Sequence, residues 1–340
     1  MYIQPFALLF ASVLAWAIIP PTIFYAWNRI SCRMQQKMGK KVRPTPEFVL
    51  RKWFFGYFFV AAAFGWSTVF LFVPLIKSIM YSLTDKTLSP TVPAQFVGAE
   101  NYIKIMTDPM WWKGVAVTVI YILGTLPYSV FLCLFLAGLI VNLPPFWQTF
   151  FKTALYLPGV TGVAVGAAIT RWVYYPGDGF ANLILRKMGF IHSNIAWFGD
   201  KHFALPTLIV GTWLGVNAIG VIIYCAALGG IPKDYYEAAD IDGATPTQKF
   251  LKITWPLVKP STVYVTITGL IGGFQIFAPA LLITGGGPEG TTNFVNYIIY
   301  RTFYYDNEFG RACAMSVVLM LVIIIISMIN YKVMATDVEY

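Results

Sequence analysis

Seven apolar runs, each long enough to cross a bilayer, dominate this sequence of 340 residues. About 20 residues of helix span the hydrocarbon core, and lipid offers no partner to free backbone N–H and C=O groups. No alternating pattern typical of a membrane barrel is present, so helix is the expected conformation. The runs lie roughly at 6–28, 53–81, 114–141, 153–175, 204–230, 261–284 and 312–334. The sequence therefore predicts an all-α polytopic membrane protein with about seven transmembrane helices.

Composition supports this class. Only 11% of the residues are charged, whereas a soluble domain carries about 25%. A net charge of +9 can indicate a nucleic-acid partner, but here the charges lie in the gaps between the apolar runs. Aromatic residues make up 17% of the chain, and many lie near the ends of the runs, as they do in interfacial belts.

The stretch 29–52 carries eight basic residues and sets the predicted orientation. We expect it to be cytoplasmic, because Lys and Arg are enriched in cytoplasmic loops. Seven spans then place the N-terminus outside, and both the loop 231–260 and the C-terminus inside. Residues 1–52 are thus predicted to be an additional N-terminal helix with a basic connector, ahead of a transmembrane domain at 53–340.

A cleaved signal peptide is the alternative interpretation of residues 1–28. A retained span is favoured because no Lys or Arg precedes Asn28 and because Pro20-Pro21 lies within the run.

Residue types used in catalysis or metal binding form no recognisable site. His192 and His202 lack the spacing of metal ligands, and neither a phosphate-binding Gly-x-x-x-x-Gly-Lys-Ser/Thr loop nor a nucleophile elbow occurs. Of the four cysteines, Cys133, Cys225 and Cys313 lie in or beside apolar runs and Cys32 lies in the basic connector, so no disulfide is expected. The chain is therefore predicted to be no enzyme and to bind no metal or cofactor.

The polar, helix-prone stretch 231–260 separates two strongly apolar runs. Pro232 suits the first turn of a helix, and Gly243 supplies a natural stop. Between them stands Tyr236-Glu237-Ala238-Ala239-Asp240-Ile241-Asp242-Gly243-Ala244, which is continued by Ile253 and Pro256. A membrane protein that builds a helix–turn–helix into a loop presents it to a partner. An ordinary interfacial loop is the plainer alternative.

This string resembles the EAA loop of the inner-membrane permease subunits of binding-protein-dependent ABC importers. It is most similar to the carbohydrate-uptake branch, the maltose-type permease. Two departures occur: Trp255 replaces the usual Leu before the Pro, and the run 6–28 precedes the usual six spans. Other family-like pieces are Phe96-Val97-Gly98 with Asn101-Tyr102, Tyr156-Leu157-Pro158, Thr284-Gly285-Gly286-Gly287-Pro288, and Gly310 with Ala312 and Ala314.

The resemblance implies a six-span type I importer core plus one additional helix, in a bacterial plasma membrane. It implies three kinds of partner: a second, homologous permease that completes a heterodimer, two ATPase subunits, and an extracytoplasmic substrate-binding protein. ATP and Mg would bind to the ATPases. The residues implied in docking to an ATPase are Glu237, Ala238, Ala239, Asp242 and Gly243.

Candidates for the substrate path lie in the spans around this loop. Trp213 and Asn217 are spaced i, i+4 and are expected to share a helix face. Phe274 and Gln275 lie among small residues in the next span, and an amide in hydrocarbon is costly unless it faces a partner or a cavity. Packing is the alternative interpretation for each. Gly215 and Gly273 are expected to leave space for a substrate. Each belongs to a pair of glycines four residues apart that lets helices approach closely, and the pairs are Gly162/Gly166, Gly211/Gly215 and Gly269/Gly273.

No acidic or basic residue lies firmly mid-span, which favours a neutral substrate. The leading hypothesis is thus a subunit that moves a sugar or oligosaccharide inward, driven by a partner ATPase. A secondary transporter or channel that works without ATP is the main alternative, and a membrane-bound enzyme is a third. The turn at 284–288 is expected either to cap a span or to serve an exterior gate or binding-protein contact.

Overall fold

The structure, a computed structural model, describes residues 3–38, 47–89 and 91–335. Within these ranges no strand forms, and extended backbone pairs only in an isolated bridge between Thr84 and Phe96. The all-α prediction is confirmed. The α-helices are α1 Ile3–Lys37, α2 Glu47–Ser67, α3 Val73–Tyr81, α4 Glu100–Thr107, α5 Pro109–Val141, α6 Pro145–Tyr156, α7 Val163–Val173, α8 Phe180–Lys187, α9 Ala204–Trp213, α10 Ala218–Gly229, α11 Lys233–Ile241, α12 Pro246–Lys249, α13 Trp255–Phe274, α14 Val295–Tyr304 and α15 Phe309–Ala335.

Three uninterrupted segments of the described chain are long and apolar enough to cross a bilayer. Two more candidates are pairs of helices that bend sharply at a short break. By length and composition the structure thus shows up to 5 spans, and the predicted number of seven is not confirmed. The straight segments are Val60–Tyr81, Pro109–Val141 and Phe309–Val333, and the bent pairs are Pro145–Gly159 with Val163–Val173 (85°) and Ala204–Trp213 with Ala218–Gly229 (42°).

Several predicted runs are not single helices. The runs 153–175 and 204–230 are broken where Gly162 and Gly215 stand, because glycine is a poor helix former. The run 261–284 is α-helical only as far as Phe274. In contrast, α1 continues beyond the first run to Lys37, since no Gly or Pro interrupts it there.

The chain divides into two compact units, Met1–Tyr81 and Ser82–Tyr340. In the first unit, α1 packs closely along α2. The Ser12 hydroxyl donates to the Gly65 carbonyl at 3.0 Å, and a Cβ on Gly65 would overlap Val13. Glycine thus permits the close approach of the two helices. The division after residue 52 that the sequence suggested stays a prediction.

In the second unit, the core is organised around α5. One cluster of buried side chains joins α5 to α13, α14 and α15 and includes Ile122 and Phe274. A second joins α5 to α10 and α13 and includes Cys133. A third joins α5 to α9 and α14 and includes Tyr121 and Phe294. The helix α5 therefore fixes the relative positions of the helices before and after the loop 231–260.

Candidate functional site

The polar loop 231–260 contains two short helices, α11 and α12, joined by a tight turn that we call the α11–α12 turn. Pro232 directly precedes α11, and Gly243 follows it with a φ of +71°. In this left-handed conformation the Ala244 N–H reaches the Ala239 carbonyl at 2.9 Å and closes the helix. The predicted start at Pro232 and stop at Gly243 are both confirmed.

Side-chain contacts hold the α11–α12 turn in one shape. Thr245 caps α12 in a capping box. Lys249 of α12 forms an ion pair with Asp240 of α11. The hydroxyl groups of Tyr236 and Thr254 lie 2.8 Å apart, which ties α11 to the start of the next span. The loop is therefore a structured element rather than an ordinary interfacial connection.

One face of α11 is exposed and carries apolar side chains beside the exposed Asp234. Tyr235 and Ile241 are 55% and 88% exposed, and Ala238 lies between them on the same face. Tyr235 and Ile241 were not among the predicted contact residues, although their three-residue spacing from Ala238 was a signal for a shared helix face. An exposed apolar patch rimmed by polar residues marks an interaction site, so this face is suited to a protein partner.

The five residues expected to contact an ATPase lie in two environments. Glu237, Ala238, Asp242 and Gly243 are exposed, and Glu237 and Asp242 rim the apolar face. Ala239 is half-buried, and its carbonyl accepts the hydrogen bond that closes α11. The two alanines therefore do not form one small exposed surface.

A cavity of about 350 Å³, which we call the central cavity, lies where α5, α13 and the break between α9 and α10 meet. Four of the predicted path residues line it, namely Trp213, Gly215, Asn217 and Gly273. None of the described residues that line it is charged. The others are Tyr121, Ile122, Thr125, Leu126, Tyr128, Ser129, Thr212, Val216, Gly269, Gly272 and Ile276.

Trp213 and Tyr128 form an aromatic wall of the central cavity. Their rings are stacked, with centroids 5.1 Å apart and planes inclined by 26°. The Trp213 indole N–H donates to the Gly124 carbonyl at 2.8 Å, which fixes the ring. Trp213 is still 37% exposed, so part of its ring remains free to contact a ligand.

Asn217 lines the cavity from the break between α9 and α10 and not from the helix face that the sequence predicted. Helix α9 ends at Trp213 and α10 begins at Ala218, so Trp213 and Asn217 do not share a helix face and the i, i+4 argument was wrong. Asn217 is instead the N-cap of α10, and its Oδ1 accepts a hydrogen bond from the Gly220 N–H at 3.1 Å. Its amide Nδ2 is not used by this cap. The helix break brings both side chains to one cavity.

Hydroxyl groups on α5 supply most of the remaining polarity. The Tyr121 hydroxyl lies 2.8 Å from the Thr212 hydroxyl, and the Thr125 hydroxyl donates to the Tyr121 carbonyl at 2.8 Å. Ser129 stands one further turn along α5. The sequence analysis missed these residues, although a polar atom at every fourth position of an apolar run was the available signal.

The remaining candidates lie around the end of α13. Gly273 allows close packing, since a Cβ there would lie 2.6 Å from Ile122 Cγ1. Phe274 is only 4% exposed and packs in the core beside α5 rather than in the lining. Gln275 is exposed at the end of the helix, and its carbonyl accepts a hydrogen bond from Asn296 Nδ2 at 3.0 Å.

The glycine-rich turn after α13 is tied to two other parts of the unit. Lys113 of α5 donates to the Glu289 carbonyl at 2.5 Å, and Lys201 pairs with the Glu289 carboxylate at 3.4 Å. Gly286 has a φ of +81° and no room for a Cβ beside Asn293. The turn therefore anchors the chain to α5 as well as reversing its direction.

Comparisons with known proteins agree with this architecture. Residues 105–339 match a family model described as the binding-protein-dependent transport system inner membrane component. The arabinooligosaccharides transport system permease protein AraP of Bacillus subtilis (strain 168) is 33% identical, over 78% of this chain and 83% of its own. The lactose transport system permease protein LacF of Rhizobium radiobacter is 30% identical, over 81% of this chain and 92% of its own.

A solved structure shares the fold. The crystal structure of a bacterial alginate ABC transporter, in complex with an alginate pentasaccharide-bound periplasmic protein, contains a chain that superposes with a TM-score of 0.71. The match covers 84% of this chain and 95% of that one at 19% sequence identity. Similarity at this level establishes a common arrangement of helices.

Proposed function

Because the chain belongs to the family of binding-protein-dependent transport system inner membrane components, it is a transmembrane permease subunit of an ABC importer, and we propose that its substrate is a neutral sugar or oligosaccharide. Such a subunit has no catalytic role, because ATP hydrolysis takes place in a separate ATPase subunit. The central cavity is the half of the translocation path that this chain contributes.

The chemistry of the central cavity carries this proposal. A sugar presents apolar C–H faces and a rim of hydroxyl groups, so it is suited to an aromatic wall beside hydrogen-bonding side chains. Trp213 and Tyr128 supply the wall, and Asn217, Thr125 and Ser129 supply amide and hydroxyl groups in a lining without charge. Relatives named for arabinooligosaccharides and lactose support the same substrate class.

Each predicted path residue has a distinct proposed role. Trp213 is the stacking platform, and the free amide nitrogen of Asn217 is a donor to substrate hydroxyls. Gly215 keeps the wall beside them small, and Gly273 lets α13 pack closely against Ile122 of α5. Phe274 acts from the core by holding α13 against α5, and Gln275 directly precedes Ile276 of the cavity lining.

A second, homologous permease completes the path, because the central cavity is walled by this chain only in part. The two permeases form a heterodimer that binds two ATPase subunits on one side and a substrate-binding protein on the other. This chain itself holds no cofactor, and ATP with Mg binds to the ATPases.

The α11–α12 turn is the proposed contact with an ATPase. Tyr235, Ala238 and Ile241 provide an apolar surface, and Glu237 and Asp242 provide charges at its rim. A surface ion pair contributes only about 0–1 kcal/mol, so packing of the apolar face is expected to dominate. Gly243 and the half-buried Ala239 fix the shape of the turn, and a fixed shape is what transmits motion to the spans.

We place the complex in a bacterial plasma membrane with the α11–α12 turn in the cytoplasm. The basic residues of 29–52 and of 231–260 support this orientation. The N-terminus then lies outside and the C-terminus inside, and the loops 82–113, 176–203 and 285–311 face the binding protein.

The test is ATP-dependent uptake by the whole importer in proteoliposomes, with lactose, arabinotriose, maltotriose and sn-glycerol 3-phosphate as probes. We expect uptake of at least one neutral sugar. Trp213→Ala should then lower kcat/KM for that sugar about fivefold, because a stacked ring contributes on the order of 1 kcal/mol.

The matched control is Trp66→Ala. Trp66 of α2 is also partly exposed, and its ring likewise packs against another aromatic ring, that of Phe70, with centroids 4.3 Å apart. Trp66→Ala should leave kcat/KM unchanged. Equal effects of the two variants would remove Trp213 from the path. Uptake without the ATPases, or of glycerol 3-phosphate alone, would contradict the proposed function itself.

A further inference from the structure

A second cavity of about 330 Å³, which we call the outer cavity, lies between α14, α15 and the end of α13. Its walls include the aromatic rings of Phe277, Tyr300 and Phe303 and the polar side chains of Asn296 and Ser316. Among the described residues, no charged side chain lines it. It therefore repeats the chemistry of the central cavity, namely aromatic faces beside an amide and a hydroxyl group.

Tyrosines on one side of α14 form a continuous stack that includes a wall of the outer cavity. The rings of Tyr297 and Tyr300 have centroids 6.4 Å apart at 25°, and those of Tyr300 and Tyr304 are 5.6 Å apart and nearly parallel at 8°. Exposure rises along the stack, from 6% at Tyr297 to 59% at Tyr304. Tyr305, 64% exposed, packs edge-on against Tyr304 with centroids 5.3 Å apart.

The polar groups of the outer cavity retain capacity for a ligand. Asn296 Nδ2 donates to the Gln275 carbonyl at 3.0 Å, while its Oδ1 accepts no hydrogen bond from the described residues. The Ser316 hydroxyl donates to the Ala312 carbonyl at 2.9 Å, so its oxygen still has lone pairs to accept with. These groups can hydrogen-bond to sugar hydroxyls without losing their present contacts.

The two cavities adjoin the same point of the chain. Ile276 lines the central cavity and the next residue, Phe277, lines the outer one. Consecutive Cα atoms are only about 3.8 Å apart. Phe277 also packs edge-on against Tyr300, with centroids 5.0 Å apart, so the tyrosine stack reaches the end of α13.

We propose that the outer cavity and the exposed rings of Tyr304 and Tyr305 form a second saccharide subsite. It binds an outer unit of an oligosaccharide while an inner unit occupies the central cavity. This inference rests on the proposed function, because it assigns the same substrate class to a further site. Tyrosines of an interfacial belt are the competing interpretation. The continuous stack from an exposed ring to a cavity with amide and hydroxyl walls favours a sugar.

The experiment compares a short and a long substrate in the complete importer. The probes are the disaccharide and the pentasaccharide of the sugar that the uptake screen selects, such as arabinobiose with arabinopentaose or maltose with maltopentaose. Tyr304→Ala and Asn296→Ala should each lower kcat/KM for the pentasaccharide, by about tenfold at most. The disaccharide should be unaffected, because the central cavity alone holds it.

Two controls separate ring stacking from other causes. Tyr304→Phe keeps the ring face and should retain pentasaccharide uptake. Tyr331→Ala removes a tyrosine of equal exposure, 61%, from the far part of α15 and should change neither substrate. Substitution of Tyr300 is avoided, because its ring packs between Phe277 and Tyr304.

Unchanged pentasaccharide uptake in both Tyr304→Ala and Asn296→Ala would overturn the subsite, as would an equal loss for both substrates. Inability of the native importer to take up the pentasaccharide would overturn it as well. In each of these outcomes disaccharide uptake by the native complex still supports the proposed function. Failure of all sugars in the native complex is the outcome that rejects the function itself.

Discussion

Replacement of Gly243 with alanine should weaken docking of an ATPase to the α11–α12 turn. Gly243 has a φ of +71°, and no heavy atom of the described residues lies within 4 Å of the position that a Cβ would take. The free-energy penalty of Gly243→Ala therefore comes from the backbone conformation and not from a steric clash. A residue with a side chain is less stable in this conformation by about 1–2 kcal/mol. If the full strain opposes docking, affinity for the ATPase falls about five- to thirtyfold.

Gly189 offers a matched control. It follows α8 with a φ of +76°, and in the part of the chain that the structure describes no heavy atom lies within 4 Å of the position of a Cβ. The Phe190 N–H bonds to the Leu185 carbonyl at 2.9 Å, the same closure that Ala244 makes after α11. Gly189→Ala should therefore cost the chain similar stability while leaving docking unchanged. Gly243→Asn should keep most of the native affinity, because Asn tolerates the left-handed conformation.

The assay titrates the ATPase subunit against permease-containing proteoliposomes and records binding-protein-stimulated ATP hydrolysis. The half-saturating ATPase concentration should rise about five- to thirtyfold for Gly243→Ala, as derived from the strain energy. Thermal unfolding of both variants checks that the chain remains folded. Coincident titration curves for Gly243→Ala and Gly189→Ala would refute the reasoning.

Two further substitutions test the packing of the second unit. Gly273→Ala should destabilise the chain by about 1–3 kcal/mol in thermal unfolding, because the new Cβ would lie 2.6 Å from Ile122 Cγ1. Gly272→Ala should be tolerated, because no described heavy atom lies within 4 Å of a Cβ there. Equal melting temperatures of the two variants would argue against the close contact at Gly273. Asn182→Ala should lower the free energy of unfolding by about 1–3 kcal/mol. The fully buried Asn182 side chain forms hydrogen bonds with several backbone groups, and its Oδ1 accepts one from the Trp197 indole N–H at 3.0 Å. Limited proteolysis of the segment between α7 and α9 should accelerate in Asn182→Ala and not in the exposed Asn194→Ala.

The α11–α12 turn was predictable from the sequence because its determinants are local. Pro232 and Gly243 act through their own backbone preferences, and Thr245 caps α12 by accepting a hydrogen bond from the Gln248 N–H, only three residues further along the chain. Such signals need no knowledge of distant parts of the chain. The exposed apolar face was harder to predict from the sequence, since Tyr235 and Ile241 resemble ordinary membrane-facing residues. Their role becomes visible only once the helix that carries them is known to be short and to be polar on its other side.

The sequence by itself determined that this chain is helical, lies in a membrane and carries a structured polar loop, because apolar runs of bilayer length and short-range helix signals leave few alternatives. Only the tertiary structure decided where the substrate candidates meet. The break after Trp213 moves Asn217 to a helix N-terminus, and the packing of α13 on α5 buries Phe274 while turning Tyr121, Thr125 and Ser129 toward the central cavity. These outcomes depend on contacts between residues far apart in sequence, which hydrophobic periodicity within one run does not encode.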